Sequence, residues 1–207
     1  MNEQQEQMTL LHWFEHWERT TPDSVYLTQP CPNGMVFDYS WREVGDQARR
    51  MAAYLQSLDL PSRSTIAILG KNSAHWIIAD LAIWMSGHIS VPLYSTASAD
   101  TVAYVLKHAE VRLLFVGRLD GEEAAWKAAS KGVPANMPVI SLPLSPRSEG
   151  DQWLDIIAES APLARITLPE PADLATVIYT SGSTGHPKGV MHSFGTMCNV
   201  AQINATA

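Results

Sequence analysis

The chain has 207 residues, of which 46% are hydrophobic and 17% are charged, and its formal net charge is -7. This composition is that of a globular protein with enough apolar material for a core, and the acidic balance argues against nucleic acid as the main partner. No apolar run is long enough to cross a bilayer and the polar start shows no signal peptide, so the cytoplasm is the expected location.

The N-terminal third predicts helices around one hairpin. We expect residues 1–9 to be flexible and residues 10–207 to be the folded part of the chain. A first helix, rich in aromatic residues, is predicted for Leu10–Arg19. Two strands, Val25–Gln29 and Met35–Tyr39, flank a turn of proline, asparagine and glycine, which predicts an antiparallel hairpin.

A second helix follows Ser40, because Ser40 and Glu43 have the spacing of a capping box. Strands and helices then alternate: the expected strands are Thr65–Leu69, Ile89–Leu93, Val111–Val116, Val139–Leu142, Ala175–Tyr179 and Gly189–His192, and the expected helices are Ser73–Ser86, Asp100–His108, Glu122–Lys131, Gln152–Glu159 and one from Phe194. This alternation is typical of a doubly wound α/β fold, with a mostly parallel sheet and helices on both faces. Such sheets bind ligands beyond the carboxyl ends of their strands.

One such strand end carries the most informative segment of the chain. A buried strand leads directly into a loop that contains hydroxyl side chains, glycines and one lysine. Glycines let backbone N–H groups converge on an anion, hydroxyls add donors and a lysine adds a point charge. The candidate phosphate-binding residues are Thr180, Ser181, Gly182, Ser183, Thr184, Gly185, Lys188 and Gly189. Lys188 is the only Asp, Glu, Lys or Arg residue between Thr176 and Ala207, which favours an anionic ligand.

The loop differs from three common glycine motifs. A Walker A loop requires a glycine directly before the lysine and a hydroxyl directly after it, whereas here Pro187 precedes and Gly189 follows Lys188. No serine lies midway between glycines as in a hydrolase elbow, and the dinucleotide-binding pattern of three glycines is absent. The alternative to a phosphate site is an ordinary turn between two strands with a solvated lysine.

The segment from Tyr179 to Val190 resembles the phosphate-binding signature of the adenylate-forming enzymes, which include acyl-CoA synthetases, peptide-synthetase adenylation domains and luciferases. Asp173 fits the family's approach to that strand. A second resembling segment, 72–93, contains Asn72, Trp76, Ala79, Ala82, Gly87, Val91 and Pro92. The resemblance covers the chain from about residue 10 to its end. The tripeptide that begins at Tyr94 looks closest to long-chain acyl-CoA synthetases.

The resemblance implies a reaction and its ligands. A carboxylate would react with ATP to give an acyl-adenylate and pyrophosphate, and the acyl group would pass to a thiol, usually that of coenzyme A. Lys188 is the implied catalytic residue, near the ATP phosphates or the carboxylate, and Thr184 is implied to lie near Mg2+. The implied ligands are therefore ATP, Mg2+, a small carboxylic acid and coenzyme A, whose site we expect outside this chain.

Three interpretations of the function stay open. The preferred one is the N-terminal portion of an acyl-CoA synthetase that activates a fatty acid. The alternatives are an adenylation domain that loads a carrier-protein thiol, and a truncated nucleotide-binding fragment without catalysis.

Several features that the family implies have no counterpart in this sequence: the acidic residue near the metal, the aspartate that holds the ribose and the lysine of a mobile C-terminal domain. We therefore expect residues 10–207 to be the N-terminal portion of an AMP-binding domain. We expect this portion to be inactive alone and to self-associate through apolar surface. His12 and His16 lack a third metal ligand, and His192 is interpreted as structural.

Overall fold

The computed structural model of the chain describes residues 8–32, 34–180 and 187–206, with side chains up to Ala201. Its elements are, in chain order, α1 (Leu10–Thr20), β1 (Val25–Pro30), β2 (Val36–Ser40), α2 (Trp41–Ser57), β3 (Thr65–Leu69), α3 (Ala74–Met85), β4 (Ile89–Leu93), α4 (Ala99–His108), β5 (Leu113–Val116), α5 (Glu122–Ala129), a short 3-10 helix (Ser130–Gly132), β6 (Val139–Ser141), α6 (Trp153–Glu159), β7 (Leu174–Thr180), β8 (Lys188–Ser193) and α7 (Phe194–Thr206). Among the described residues, no helix has the length and apolar character that crossing a membrane requires.

Six strands form the main sheet, in the order β6-β5-β3-β4-β7-β8. The first five strands of this order run parallel to one another, as the alternation of elements predicts. Strand β8 is the exception, because it pairs antiparallel with β7. The strand predicted at Gly189–His192 is therefore present, and it is the second arm of a hairpin.

Helices cover both faces of this sheet, and the alternating side chains of β3 show how. Ile66 and Ile68 point into a core formed with α1, α2, α3 and α6, while Ala67 and Leu69 point into a second core formed with α4 and α5. All four side chains are fully buried. Since a buried parallel strand presents apolar residues to both faces, this is the doubly wound fold that the sequence predicts.

Strands β1 and β2 form a separate antiparallel sheet of two strands. This hairpin packs on α2 through Tyr26 and Trp41, whose rings stack with centroids 3.7 Å apart. The helix begins at a capping box, as the sequence predicts: the Glu43 N–H donates to Ser40 Oγ at 3.3 Å, and the Ser40 N–H donates to the Glu43 carboxylate at 2.7 Å. A capping box satisfies backbone donors that a helix leaves free at its start.

Candidate functional site

The candidate phosphate loop joins the two arms of the β7–β8 hairpin. Thr180 is the last residue of β7 and Lys188 the first of β8, and the two residues pair directly across the hairpin. Both side chains are exposed at the carboxyl end of a strand of the parallel sheet. The predicted ligands between them, Ser181, Gly182, Ser183, Thr184 and Gly185, lie outside the described residues. The structure therefore places both ends of the predicted site together.

The first arm of the hairpin is fixed by buried hydrogen bonds from two other parts of the chain. The Trp84 indole N–H donates to the Ala175 carbonyl at 2.9 Å, and the Thr176 hydroxyl donates to the Ser90 carbonyl of β4 at 3.0 Å. Both bonds are buried, so they are shielded from competition with water. The position of β7 is consequently set by α3 and β4 rather than by the hairpin alone.

Asp173, which precedes β7, anchors the start of the strand. Its carboxylate lies 2.6 Å from the Arg63 guanidinium and accepts the Glu170 N–H at 2.8 Å. The hydrogen bonds from Arg63 and from the Glu170 backbone hold the pKa of the Asp173 carboxyl below its usual range. Its carboxylate is thus the expected form at neutral pH, and its role is to fix the chain entering β7.

Tyr179 contributes a contact that sequence analysis missed. Its side chain is only 7% exposed, and its hydroxyl shares a hydrogen bond of 2.7 Å with His108 Nδ1 at the end of α4. Burial raises the pKa of the Tyr179 phenol, so the neutral hydroxyl is available for this bond. The two residues are 71 positions apart, and no local pattern indicates that they meet.

Lys188 presents an exposed ammonium group at the start of β8. Within residues 8–32, 34–180 and 187–206, no carboxylate forms an ion pair with its ammonium group. The nearest chain neighbours carry no charge, because Lys188 is the only Asp, Glu, Lys or Arg residue after Asp173. An exposed ammonium with no counter-ion among the described residues suits the negative charge of a polyphosphate or a carboxylate.

A cleft of about 580 Å3 lies beside the hairpin, between the carboxyl ends of β4 and β7. Its wall is mostly apolar and includes Leu93, Val105 and Tyr179, while Thr180 and Pro187 form the border toward the loop. Tyr94 stands at its edge with 69% of its surface exposed. The arrangement places apolar surface next to a potential anion site, as an amphipathic ligand requires.

A second cleft of about 410 Å3 lies farther along the same edge of the sheet, after β5 and β6. Arg118 lines it together with Asp120, Glu122 and Glu123. Carboxylates outnumber basic groups in this set, so its charge does not favour a polyphosphate. The cleft at β7 is the better candidate on charge alone.

His12, one of the two histidines weighed as metal ligands, and Phe194, the first residue of α7, have structural partners. His12 lies at the start of α1, where its Nδ1 is 3.1 Å from the Thr9 backbone nitrogen and 2.8 Å from the Thr9 hydroxyl. Phe194, which follows β8, is buried with its ring edge-to-face against Trp84 at 5.4 Å. These contacts account for both residues by packing and capping.

A model of the family described as AMP-binding enzyme matches residues 14–206, which include both arms of the hairpin and the cleft. The chain belongs to this family. The resemblance to adenylate-forming enzymes is thereby confirmed.

Two relatives show the range of the family. The chain is 35% identical over 179 residues to long-chain-fatty-acid–CoA ligase FadD15 of Mycobacterium bovis, an alignment that covers 85% of this chain and 29% of that protein. It is 29% identical over 183 residues to N-(5-amino-5-carboxypentanoyl)-L-cysteinyl-D-valine synthase of Penicillium rubens, covering 88% of this chain and 4% of that protein. The chain thus spans less than a third of the length of either relative.

A comparison with a solved structure confirms the fold class of this chain. The anthranilate CoA ligase AuaEII in complex with anthranoyl-AMP superposes with a TM-score of 0.80 at 19% identity, covering 98% of this chain and 38% of that one. At this level of identity the likeness supports the fold. It agrees with the α/β architecture and the mostly parallel sheet described above.

Proposed function

We propose that residues 1–207 are the N-terminal portion of an ATP-dependent acyl-CoA synthetase. The carboxylate of an organic acid would attack the α-phosphorus of ATP, forming the acyl-adenylate while pyrophosphate leaves; the acyl group would then pass to the thiol of coenzyme A and release AMP. The observation that carries the proposal is the pairing of Thr180 with Lys188 at the open end of β7, inside the segment that matches the family.

The chemistry of the residues fits the charge that this reaction develops. Negative charge grows on the departing pyrophosphate in the transition state, and Lys188 has no described counter-ion that would compete for it. Hydroxyls and glycines of the loop would supply further hydrogen-bond donors. Fixed donors aimed at developing charge are among the largest contributions to catalysis.

Mg2+ would neutralise phosphate charge in such a site, and Thr184 is the residue that we propose lies near it. Within the part of the chain that the structure describes, no cluster of three or more histidine, cysteine or acidic side chains could hold a metal ion. The donors for Mg2+ would therefore come mainly from the phosphates, and from residues outside the described ones.

A fatty acid is the substrate class that we propose, with coenzyme A as the acceptor. The supporting observations are the apolar wall of the cleft beside Thr180 and the name of the FadD15 relative, a long-chain-fatty-acid–CoA ligase. The alternative, transfer to a carrier-protein thiol, is favoured by the Penicillium relative, whose name describes a peptide synthase.

The test is carboxylate-dependent exchange of labelled pyrophosphate into ATP, measured on a longer polypeptide that carries residues 1–207 together with the segments of its relatives that follow them. A panel of fatty acids, aryl acids and amino acids identifies the substrate. We expect exchange with fatty acids and thioester formation with free coenzyme A. Exchange with amino acids and no thioester with free coenzyme A would favour the carrier-protein alternative, and no exchange with any acid would reject adenylation.

Residues 1–207 alone are proposed to be inactive and to self-associate. Proximity of all reacting groups supplies much of an enzyme's rate, and this chain spans less than a third of FadD15. Val190 and Met191 expose apolar side chains on β8, at the edge of the sheet, where another strand can add. Thioester formation by this chain would contradict the first proposal, and a monodisperse monomer in light scattering would contradict the second.

A further inference from the structure

A helix outside the hairpin reaches the strand that carries the phosphate loop. His108, in the last turn of α4, shares its 2.7 Å hydrogen bond with the Tyr179 hydroxyl, one residue before the end of β7. The rings of the two residues lie edge-to-face, with centroids 5.7 Å apart. Tyr104, one helical turn earlier, stacks on His108 with centroids 5.3 Å apart, so the imidazole is held on one side by an aromatic ring.

The Tyr179 ring also reaches the second arm of the hairpin. Tyr179 pairs with Gly189 across the strands, and a Cβ atom added to Gly189 would lie 3.1 Å from Cζ of the Tyr179 ring. The ring therefore occupies the space that a side chain at 189 would need. The next pair along the hairpin is Thr180 with Lys188, so one ring contacts both arms directly beside the loop.

The bond between His108 and Tyr179 also joins the two walls of the cleft. Thr101 and Val105 line it from α4, while Tyr179 and Thr180 line it from β7. The hydrogen bond between His108 of α4 and Tyr179 of β7 consequently holds these two walls at a fixed distance from each other. It also holds the end of β7 in place against α4.

We propose that His108 is a positioning residue that acts through Tyr179 to hold Lys188 in its place for adenylation. This inference rests on the function proposed above. His108 would contact no substrate: its hydrogen bond fixes the Tyr179 ring, and the ring fixes both arms of the hairpin. Displacement of a catalytic group by about 1 Å is enough to slow a reaction strongly, so fixing the arms supports the rate even though the bond lies outside the chemistry.

Two variants remove the hydrogen bond while keeping the packing. Tyr179→Phe keeps the ring against Gly189, and His108→Phe keeps an aromatic ring against Tyr104. We expect each to lower kcat for pyrophosphate exchange roughly three- to tenfold, the range for one hydrogen bond, while KM for the carboxylate changes less than about twofold. The double variant should be no slower than the slower single variant, because both changes break the same bond. His108→Asn, whose side-chain amide can take the place of Nδ1, should restore most of the rate.

A matched control is available in the other hairpin. Tyr39 contacts His75 edge-to-face at 5.4 Å, far along the chain from the loop, so Tyr39→Phe also removes one phenol beside a histidine. We expect its kcat to equal that of the wild-type enzyme. An equal loss in Tyr39→Phe, or additive losses in the double variant, would overturn the positioning role.

Amide hydrogen exchange of β8 separates this inference from the proposed function. We expect the β8 amides that donate to β7 to exchange roughly three- to tenfold faster in Tyr179→Phe, with the amides of β3 and β5 unchanged. If the wild-type enzyme shows no carboxylate-dependent pyrophosphate exchange, the proposed function is rejected. Amide hydrogen exchange of β8 would then still show whether the hydrogen bond holds the hairpin in place. A wild-type enzyme that adenylates, together with variants that equal it in kcat and in amide exchange, would reject the inference alone.

Discussion

The described part of the chain contains two antiparallel hairpins that are alike in their parts and different in how they are held. Each has a tyrosine beside a histidine of a neighbouring helix, and each has an arginine–aspartate pair near its base. The β1–β2 hairpin closes by its own backbone: the Cys31 N–H donates to the Met35 carbonyl at 2.8 Å, and the Gly34 N–H donates to the Cys31 carbonyl at 3.0 Å. It lies outside the main sheet.

The β7–β8 hairpin is held at its arms by the rest of the fold. Hydrogen bonds from α3, β4 and α4 reach β7 at three positions, and the last of them adjoins the loop. The β1–β2 hairpin receives one buried hydrogen bond from a helix, since the Ala74 N–H at the start of α3 donates to Gln29 Oε1 at 2.9 Å. The β7–β8 hairpin differs because its first arm is a central strand of the main sheet and because the last of its outside bonds adjoins the candidate loop.

The largest expected effect tests whether the second hairpin is catalytic. In the longer polypeptide used for the exchange assay, Lys188→Ala should lower kcat roughly 100- to 1,000-fold, because a charged donor to the departing pyrophosphate is lost. Carboxylate KM should change much less, since the charge develops in the transition state. Pyrophosphate exchange measures both constants. Lys131→Ala removes another exposed lysine and should leave them unchanged. Equal kcat in the two variants would show that the Lys188 side chain takes no part in catalysis.

A pair of glycine substitutions compares the two hairpins directly. A Cβ at Gly189 would lie 2.9 Å from Val177 Cγ1 and 3.1 Å from the Tyr179 ring, so Gly189→Ala should lower the free energy of unfolding by roughly 2–3 kcal/mol. Gly34 has φ of +79° and open space around it, so Gly34→Ala should lose only about 1 kcal/mol through its left-handed backbone.

Urea denaturation of this chain measures both values. The Gly189 variant should also lower exchange activity in the longer polypeptide, whereas the Gly34 variant should not. The reverse order of stability would mean that the close contact of the two arms at Tyr179 is relieved by small movements.

His75 of α3, which contacts Tyr39 of the first hairpin, should make the stability of the chain depend on pH. Burial lowers the pKa of His75 from 6.5 to about 4, so the folded chain keeps it neutral while the unfolded chain protonates it. Protons therefore favour unfolding as the pH falls from 6.5 toward 4, and stability that is complete above pH 6.5 is lost in that window. Between about pH 7.5 and pH 5 the wild-type chain should lose about 2 kcal/mol more than His75→Gln.

Urea denaturation at the two pH values checks this difference. Asp80, whose pKa burial raises to about 7, is present in both proteins and so cancels in the comparison. Parallel pH dependences in the two proteins would show that His75 is protonated in the folded state at pH 5.

The smallest expected effects concern the ion pairs near the two hairpins. Arg42 and Asp23 are 64% and 82% exposed, so Asp23→Ala should change the free energy of unfolding by less than about 0.5 kcal/mol. Asp173 is 35% exposed and also accepts the Glu170 N–H, so Asp173→Ala should cost roughly 0.5–1 kcal/mol. Thermal or urea unfolding at low and high salt measures the change in the free energy of unfolding for both variants. Equal changes in the two variants would show that the ion pairs do not distinguish the hairpins.

The fold could be predicted from the sequence because its signal is local. Apolar runs such as Thr65–Leu69 and Ile89–Leu93 alternate with helical segments, and the structure places both strands side by side in parallel. The direction of β8 could not be predicted, because the residues of a short strand do not encode which neighbour they pair with. The antiparallel pairing brings together the residues on either side of the segment that the sequence predicts as a ligand loop.

The candidate site was predictable only in part, for the same reason. The composition of the loop indicates an anion site at Thr180 and Lys188, and the structure brings these two residues together. The bond from His108 to Tyr179 joins residues 71 positions apart, and a histidine in the last turn of a helix is common for electrostatic reasons alone. Contacts of this kind arise from tertiary packing, which no single-sequence pattern contains.

The place of β7 between β4 and β8 has a consequence for the order in which the chain assembles. Strands β3 to β6 are encoded by residues 65–141 and can pair with one another as soon as that segment has been synthesised. The β7–β8 hairpin comes later, and a hairpin closes within microseconds once both arms exist. It must then add to the exposed side of β4, a contact between distant parts of the chain that forms slowly. Among the strands described here, the site-bearing hairpin is thus the last to arrive during translation. Until it docks, β4 remains an open edge at which a nascent chain can misassemble.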